Sequence, residues 1–534
     1  MSGLARASVL LGAGTIVSRV TGLLRSIVLV SVFGVVGSRA GDAFGNAIQL
    51  PNNIYAIISA GVLTAVIVPQ IVKVSTEADG GARFISKLFT LGTVVLLGVT
   101  AAAMICAPLL IELYGKGFTT DQLALATAFA YWVLPQLLFY GLYALIGETL
   151  NARRIFGPFT WAPIVNNIVS IAGLLLVLVL FGGNRTEVAD WPPGQVAIVG
   201  GVSTLGIAAQ AAVLLLFWRR TGLRLRPDFR WRGVGLGNIG RMAGWTTAMV
   251  IVGQIAGVVQ SRVMSSASGE AASILASQSI WLVFMLPYSV IVLSIGTPYF
   301  TQLSEHAAAG RRDEVRADIT ASIRTISLFI VLAGVALSVA ALPASRIFVN
   351  SPENAVAVAP VLLAYLLGLL PLSVVFVLQR TFYAHDDTRT PFVFTAIQGA
   401  IAIVTAMVAG LLAPVEYLAA AVALGQSLGI IVQVVLAGWL LHRKLGGIGT
   451  RSWVASILRF AVAAIPAGVA GWLVFVFVLG GQDGWALSDK LWGAIGTGII
   501  GLVSFAVYLA VLVLMRAPEV GPALGMLRRL LPRR

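Results

Sequence analysis

The chain has 534 residues, 58% of them hydrophobic and 11% charged, with a mean hydropathy of +0.94. A soluble globular protein is about 25% charged, so this chain lacks the polar groups to cover a water-facing surface and is expected to be an integral membrane protein. Its formal charge of +15 would suggest nucleic acid in a soluble protein; in a membrane protein the first reading is topological, because Lys and Arg stay on the cytoplasmic side, and no nucleic-acid partner is expected.

The apolar run from Ala7 to Val17 follows Arg6 but leads into Arg19 and Arg25 without a small-residue cleavage site. It is therefore expected to be the first transmembrane helix, not a signal peptide. A span needs about 20 mostly apolar residues. Cutting the chain at its polar, Gly-rich and Pro-rich breaks predicts fourteen helices, starting near Ala7, Gly41, Phe84, Leu123, Phe159, Gln195, Asn238, Ala271, Ile319, Ala355, Phe392, Tyr417, Val454 and Lys490. With the amino terminus inside, 26 basic residues fall in inner segments and five, Arg39, Lys116, Arg185, Arg346 and Lys490, in outer ones. That bias predicts a multi-pass membrane protein with both termini cytoplasmic. Five basic residues remain within or at the edge of spans: Arg19, Arg25, Arg262, Arg324 and Arg380.

Helices one to six resemble helices seven to twelve in the order of their landmarks. Gly22 to Ser26 corresponds to Gly257 to Ser261, Leu50-Pro51 and Pro69 to Leu286-Pro287 and Pro298, and Leu150-Asn151-Ala152 with Pro158 to Phe382-Tyr383-Ala384 with Pro391. Six spans is an even number, so the repeats are parallel. The expected architecture is all-α and polytopic, with 14 transmembrane helices. Two six-helix lobes are related by a pseudo-two-fold along the membrane normal, and two C-terminal helices follow. The lobes are residues 1–218 and 238–443, joined by a basic cytoplasmic linker, 219–237; helices thirteen and fourteen occupy 444–516 and a basic tail 517–534. The tail arginines Arg528, Arg529, Arg533 and Arg534 are expected to meet anionic membrane lipid.

Arg19 lies about twelve residues into the first span, roughly 18 Å deep. An arginine at mid-membrane costs about 2.5–3.5 kcal/mol or more, so it should face a wet cavity or a partner. Arg25 is six residues on, about 120° around the helix, so the two cannot form one clamp alone. A guanidinium suits bidentate phosphate recognition. The plainer reading is that Arg25 pairs with Asp42 across a short hairpin while Arg19 caps helix carbonyls. Asp42 opens helix two and suits either an N-cap or a gate; Glu270 sits at the similar place in the second half. Glu148 and Asn151 close helix four beside Arg153 and Arg154, as an interfacial ion pair or a gate. Asn166, Asn167 and Gln398 either hydrogen-bond between helices, the commoner role, or contact substrate. Arg262 is one position out of register with Arg25, and one residue is about 100°; Arg380 and Arg324 lie near cytoplasmic ends, where snorkelling is the default.

Cys106 is the single cysteine, which leaves no intramolecular disulfide and no thiolate cluster, and His306, His385 and His442 lie far apart. No metal is expected. There is no G-x-x-x-x-G-K-[ST] loop and no soluble stretch long enough for an ATPase domain. The longest outer loop, about 182–194, offers a membrane glycosyltransferase only Glu187 and Asp190. A pure scaffold would leave Arg19 unexplained.

Ser18-Arg19-Val-Thr-Gly22-Leu-Leu-Arg25, Gly41-Asp42-Ala-Phe with Leu50-Pro51-Asn52, Leu150-Asn151-Ala152-Arg153 with Ala162-Pro163 and Asn167, and Phe382-Tyr383-Ala384 with Asp387-Thr388-Arg389-Thr390-Pro391 resemble the MurJ (MviN) family. These are lipid II flippases of the multidrug/oligosaccharidyl-lipid/polysaccharide exporter superfamily. The resemblance runs from about residue 5 to 515. It implies alternating access of two lobes around a central cationic cavity that carries the lipid II headgroup from the cytoplasmic to the outer leaflet. Helices thirteen and fourteen would hold the lipid tail. The resemblance further implies a monomer without a cofactor, driven by membrane potential and a monovalent ion. Arg19, Arg25 and Asp42 match family positions associated with function. The family often has a basic pair where this chain has Ile54, Tyr55 and Ala56, and an arginine where it has Leu282, so the cavity is expected to be less cationic. Another polyprenyl-diphosphate glycan or an amphipathic drug is the alternative cargo.

Overall fold

The computed structural model describes residues 3–60, 79, 81–153, 155, 157–230, 240–519 and 521, with side chains from residue 14 in the first helix and 244 in the seventh. Arg154, Pro69, residues 231–237 of the expected linker and the tail arginines lie outside the described residues. The chain packs as two compact units, Met1–Leu275 and Ala276–Arg534.

The first unit runs α1 (Gly3–Phe33), α2 (Arg39–Ile58), α3 (Ala82–Ile105), α4 (Ala107–Tyr114), α5 (Thr120–Val133), α6 (Gln136–Ala152), α7 (Gly157–Phe181), α8 (Pro193–Leu215) and α9 (Gly240–Met264). Then come α10 (Ile274–Pro287), a π turn at Tyr288–Val292, α11 (Leu293–Ala308), α12 (Arg312–Val339), α13 (Ala341–Arg346), α14 (Pro352–Leu366), α15 (Leu369–Ala384), α16 (Arg389–Leu412), α17 (Leu418–Leu445), α18 (Thr450–Leu473) and α19 (Lys490–Leu514). Thirteen helical stretches among the described residues are long and apolar enough to cross a membrane. α2, whose Asp42, Asn46, Asn52 and Asn53 lower its hydropathy, is the fourteenth expected helix. Most starts fall within four residues of expectation. α12 begins seven residues before the expected Ile319, because Asp313 and Glu314 in its first turn favour a polar extension at the positive helix end.

Expected spans four, eight and ten are among those that are interrupted. Span four divides into α5 and α6 at Pro135, which has no N–H to donate and crowds the preceding turn. Span eight widens into the π turn directly after Pro287. Span ten divides at Gly368, and the buried Ser427 hydroxyl donates to the freed Ala364 carbonyl at 2.7 Å. In hydrocarbon a carbonyl released from a helix ladder must find such a partner. The outward faces are apolar: Val179 and Leu411 are 82% exposed and Leu514 81%. Unmatched by water-soluble cover, such faces belong in lipid.

By packing, α9 rests on α2 and α4 and belongs with the first unit. The sequence repeat instead places this helix at the head of the second lobe.

Candidate functional site

All of the singled-out residues with an expected cargo or gating role lie in the first unit. α1 packs against α7, and the joint is polar: Asn167 Nδ2 donates to the Ser18 carbonyl at 3.1 Å and to Thr21 Oγ1 at 2.9 Å. Gly22, one turn along the same face, lies beside that amide. Ser18, Gly22 and Arg25 follow i, i+4, i+7 spacing, so this joint turns Arg25 toward the α7 side, and Arg19 about 100° away. Arg25 is accordingly half-buried and Arg19 exposed.

The Arg25 guanidinium interacts electrostatically with the phenol of Tyr140 on α6. Tyr140 stacks on Tyr55 of α2, centroids 5.5 Å apart and planes at 30°, and its hydroxyl donates to Gln136 Oε1 at 3.4 Å. Gln136 Nε2 donates to Thr204 Oγ1 of α8 at 3.3 Å. Glu148 is half-buried and interacts electrostatically with Tyr55 and Tyr143. The Tyr143 ring stacks on Phe159 at 4.8 Å and its hydroxyl donates to the Phe159 carbonyl at 2.8 Å. One cation, one carboxylate and three phenols therefore share a half-buried cluster built from α1, α2 and α6, with α7 and α8 behind it. Such a cluster can take an anionic group on Arg25 and hydroxyl-rich groups on the phenols and Glu148.

Asp42 is not the N-cap of α2. Ser38 holds that position, its Oγ accepting from Gly41 N–H at 2.9 Å. Asp42, fully buried, accepts instead from the N–H of Leu275 at 3.1 Å. Arg25 and Asp42 thus have separate partners, and the hairpin pair weighed for them does not form. Arg262 donates to the Leu113 carbonyl at 3.1 Å, and its neighbour Ser265 to the Tyr114 carbonyl at 2.9 Å. These bonds fix α9 to the end of α4. Glu270 is exposed in the turn after α9, and Asn151 is half-buried at the end of α6. Asn166 Oδ1 accepts from Ser170 Oγ within α7. In the second unit Arg324 pairs with Glu519 and Arg380 lies over the Phe300 and Phe376 rings.

The end of the first unit where α1 runs into α2 is packed with rings. Phe33 stacks between Trp191, at 4.4 Å, and Phe44, at 4.8 Å, with Phe129 edge-on to all three. The loop carrying Trp191 is tied down by Arg185 N–H donating to Val32 O at 2.9 Å. Among the described residues no group of three His, Cys, Asp or Glu side chains is arranged to hold a metal ion.

Sequence reading missed Tyr140, Tyr143 and Gln136. The signal was present as Gln136, Tyr140, Tyr143 and Glu148, polar groups recurring near helical spacing on one side of an apolar span.

Solved structures define the class. The chain matches "Lipid II flippase MurJ, inward closed conformation" with a TM-score of 0.73 at 21% identity, over 95% of this chain and 99% of that one. It also matches an inward-facing multidrug resistance MATE family transporter of the MOP superfamily, with a TM-score of 0.63 at 14% identity, over 82% and 96%. The fold is thus the polytopic all-helical fold that these structures share. The family model described as Lipid II flippase MurJ matches residues 29–491, and the chain belongs to that family. Relatives named "Probable lipid II flippase MurJ" include one from Rhizobium tropici, 27% identical over 98% of this chain and 96% of its own. Another, from Haemophilus influenzae, is 27% identical over 86% and 90%.

Proposed function

We propose that this protein flips lipid II from the cytoplasmic to the outer leaflet of the bacterial inner membrane by alternating access of two lobes. The observation that carries the reading is the family match over residues 29–491. Arg25 and Tyr140 give it a local chemistry: a guanidinium for the diphosphate, and phenols with Glu148 for the sugars. Arg19 contributes the second cation, and α18 and α19 the surface for the polyprenyl tail. Both termini are cytoplasmic, and a monovalent ion with the membrane potential supplies the drive, not ATP.

Depletion in cells, followed by quantifying lipid II in each leaflet, tests this. Lipid II is expected to accumulate in the inner leaflet. Unchanged outward lipid II, with a different polyprenyl-diphosphate glycan retained instead, would overturn the assignment of cargo.

A further inference from the structure

A cleft of about 660 Å³ opens at the start of α3, and transport as described above makes no use of it. One wall is Asp79 with the first turns of α3; the other is the segment after α8, from Arg224 to Arg230. That segment is held in place although it has no regular structure. A short 3-10 turn at Trp218–Thr221 ends on Gly222 at φ +73°, and Leu223 sinks into the core. Trp218 Nε1 donates to the Leu223 carbonyl at 3.1 Å. Further on, Arg226 N–H donates to Ser86 Oγ at 3.3 Å and Asp228 N–H to Thr90 Oγ1 at 3.0 Å.

Alternate backbone groups facing α3 imply side chains alternating to either side, and the sequence alternates in step: Arg224, Arg226 and Arg230 interleave with Leu225, Pro227 and Phe229. The two carboxylates of the cleft are engaged by backbone. Asp79 accepts from Gly81 N–H at 2.8 Å and Arg83 N–H at 3.2 Å, which hold its carboxyl below the usual range, and Asp228 accepts from Arg230 N–H at 2.9 Å. Arg224, Arg226 and Arg230 form no ion pair with a described residue. Beside them Phe229 is 66% and Leu225 38% exposed.

A site for a soluble anion has no use for exposed apolar side chains among its arginines. The cleft also sits at the first residues of a 24-residue span, where hydrocarbon gives way to headgroups, on the side that the basic bias makes cytoplasmic. Basic pockets at that level suit anionic headgroups. We propose that this cleft binds an anionic phospholipid of the cytoplasmic leaflet, its phosphodiester on Arg224, Arg226 and Arg230 and its acyl chains beside Pro227 and Phe229.

The test is retention of phosphatidylglycerol against phosphatidylcholine by the full-length protein, titrated from mixed micelles and read by native mass spectrometry. Phosphatidylglycerol is expected to be retained preferentially. Removing each arginine should weaken it about fivefold, so R224Q/R226Q/R230Q should lose on the order of 100-fold. The triple lysine variant should keep most of the affinity. Should the triple glutamine variant fail to fold, R226Q and R230Q alone are read the same way. Equal retention of the two lipids, or undiminished phosphatidylglycerol binding in the folded glutamine variants, overturns the proposal. So does displacement of phosphatidylglycerol by millimolar inorganic phosphate, which would mark a site for soluble anions.

Discussion

Arg25 is held where a cation is costly and specific: half-buried, turned by the Asn167 joint, and facing a phenol instead of a carboxylate. A phenol does not neutralise a guanidinium, so the charge stays available for an incoming anion. Arg25→Ala is expected to reduce lipid II translocation roughly 10- to 100-fold, the worth of a hydrogen bond to a charged group. Arg25→Lys should recover only part of it, since an ammonium lacks the bidentate fork. A reconstituted leaflet-exchange assay on lipid II checks both; full activity of the alanine variant would remove Arg25 from the transport path. Asn167 acts differently. Its two bonds to α1 are worth about 0.6 kcal/mol each in a membrane protein, so Asn167→Ala should lower stability by about 1 kcal/mol in detergent unfolding. Translocation should fall through misorientation of Arg25, and Asn167→Gln should not restore it.

At the scale of elements, polar ties secure particular helix breaks and ends. Ser427 serves the carbonyl freed at Gly368, and Ser427→Ala should cost about 1–3 kcal/mol by leaving it bare. Glu519, just past α19, gathers Arg324 of α12 at 2.5 Å and both Ser456 and Arg459 of α18 at 2.9 and 3.3 Å. Burial raises its carboxyl, but its backbone N–H, Arg324 and Ser456 outweigh that and hold it below the ordinary 4.5. A depressed carboxyl stabilises the fold above its unfolded value, and this contribution is lost as pH falls through the folded one. Melting temperature should therefore drop on acidification below about pH 4.5. Glu519→Gln should melt lower at neutral pH and show a shallower acid dependence.

The positions of the spans were legible because hydropathy alone sets them; the ladder breaks at Pro135 and Pro287 were not read, although the prolines that cause them stand in the sequence. The break at Gly368 was not legible, since the hydroxyl that satisfies its freed carbonyl lies 59 residues later in the chain. Arg19 and Arg25 were legible as misplaced charges, and their divergence followed from helix arithmetic. The partner of Arg25 was not, because Asp42 is the nearer opposite charge in sequence while Tyr140 is an ordinary residue in an apolar run. The departure at Tyr55 was visible, but that it stacks on Tyr140 depends on how α2 and α6 meet.

For the whole molecule, the distribution of 26 inner and five outer basic residues makes a topological prediction that the single native cysteine simplifies. In a Cys106→Ser background, Glu187→Cys, in the loop before Trp191, should react with a membrane-impermeant maleimide in intact cells. Asp313→Cys, whose native side chain is 96% exposed at the start of α12, should react only after permeabilisation. The reverse pattern would invert the topology and, with it, the direction of transport.

The Asn167 joint also constrains how the protein is made. Thr21 and Asn167 are 146 residues apart, so at about 5–20 residues per second α1 emerges from the ribosome roughly ten seconds or more before α7 exists. During that interval its Ser18–Thr21 face lacks the Asn167 amide that completes it. The first helix is therefore expected to need a temporary substitute for α7 while the chain is being inserted. Biogenesis, more than the finished fold, is where this helix is vulnerable.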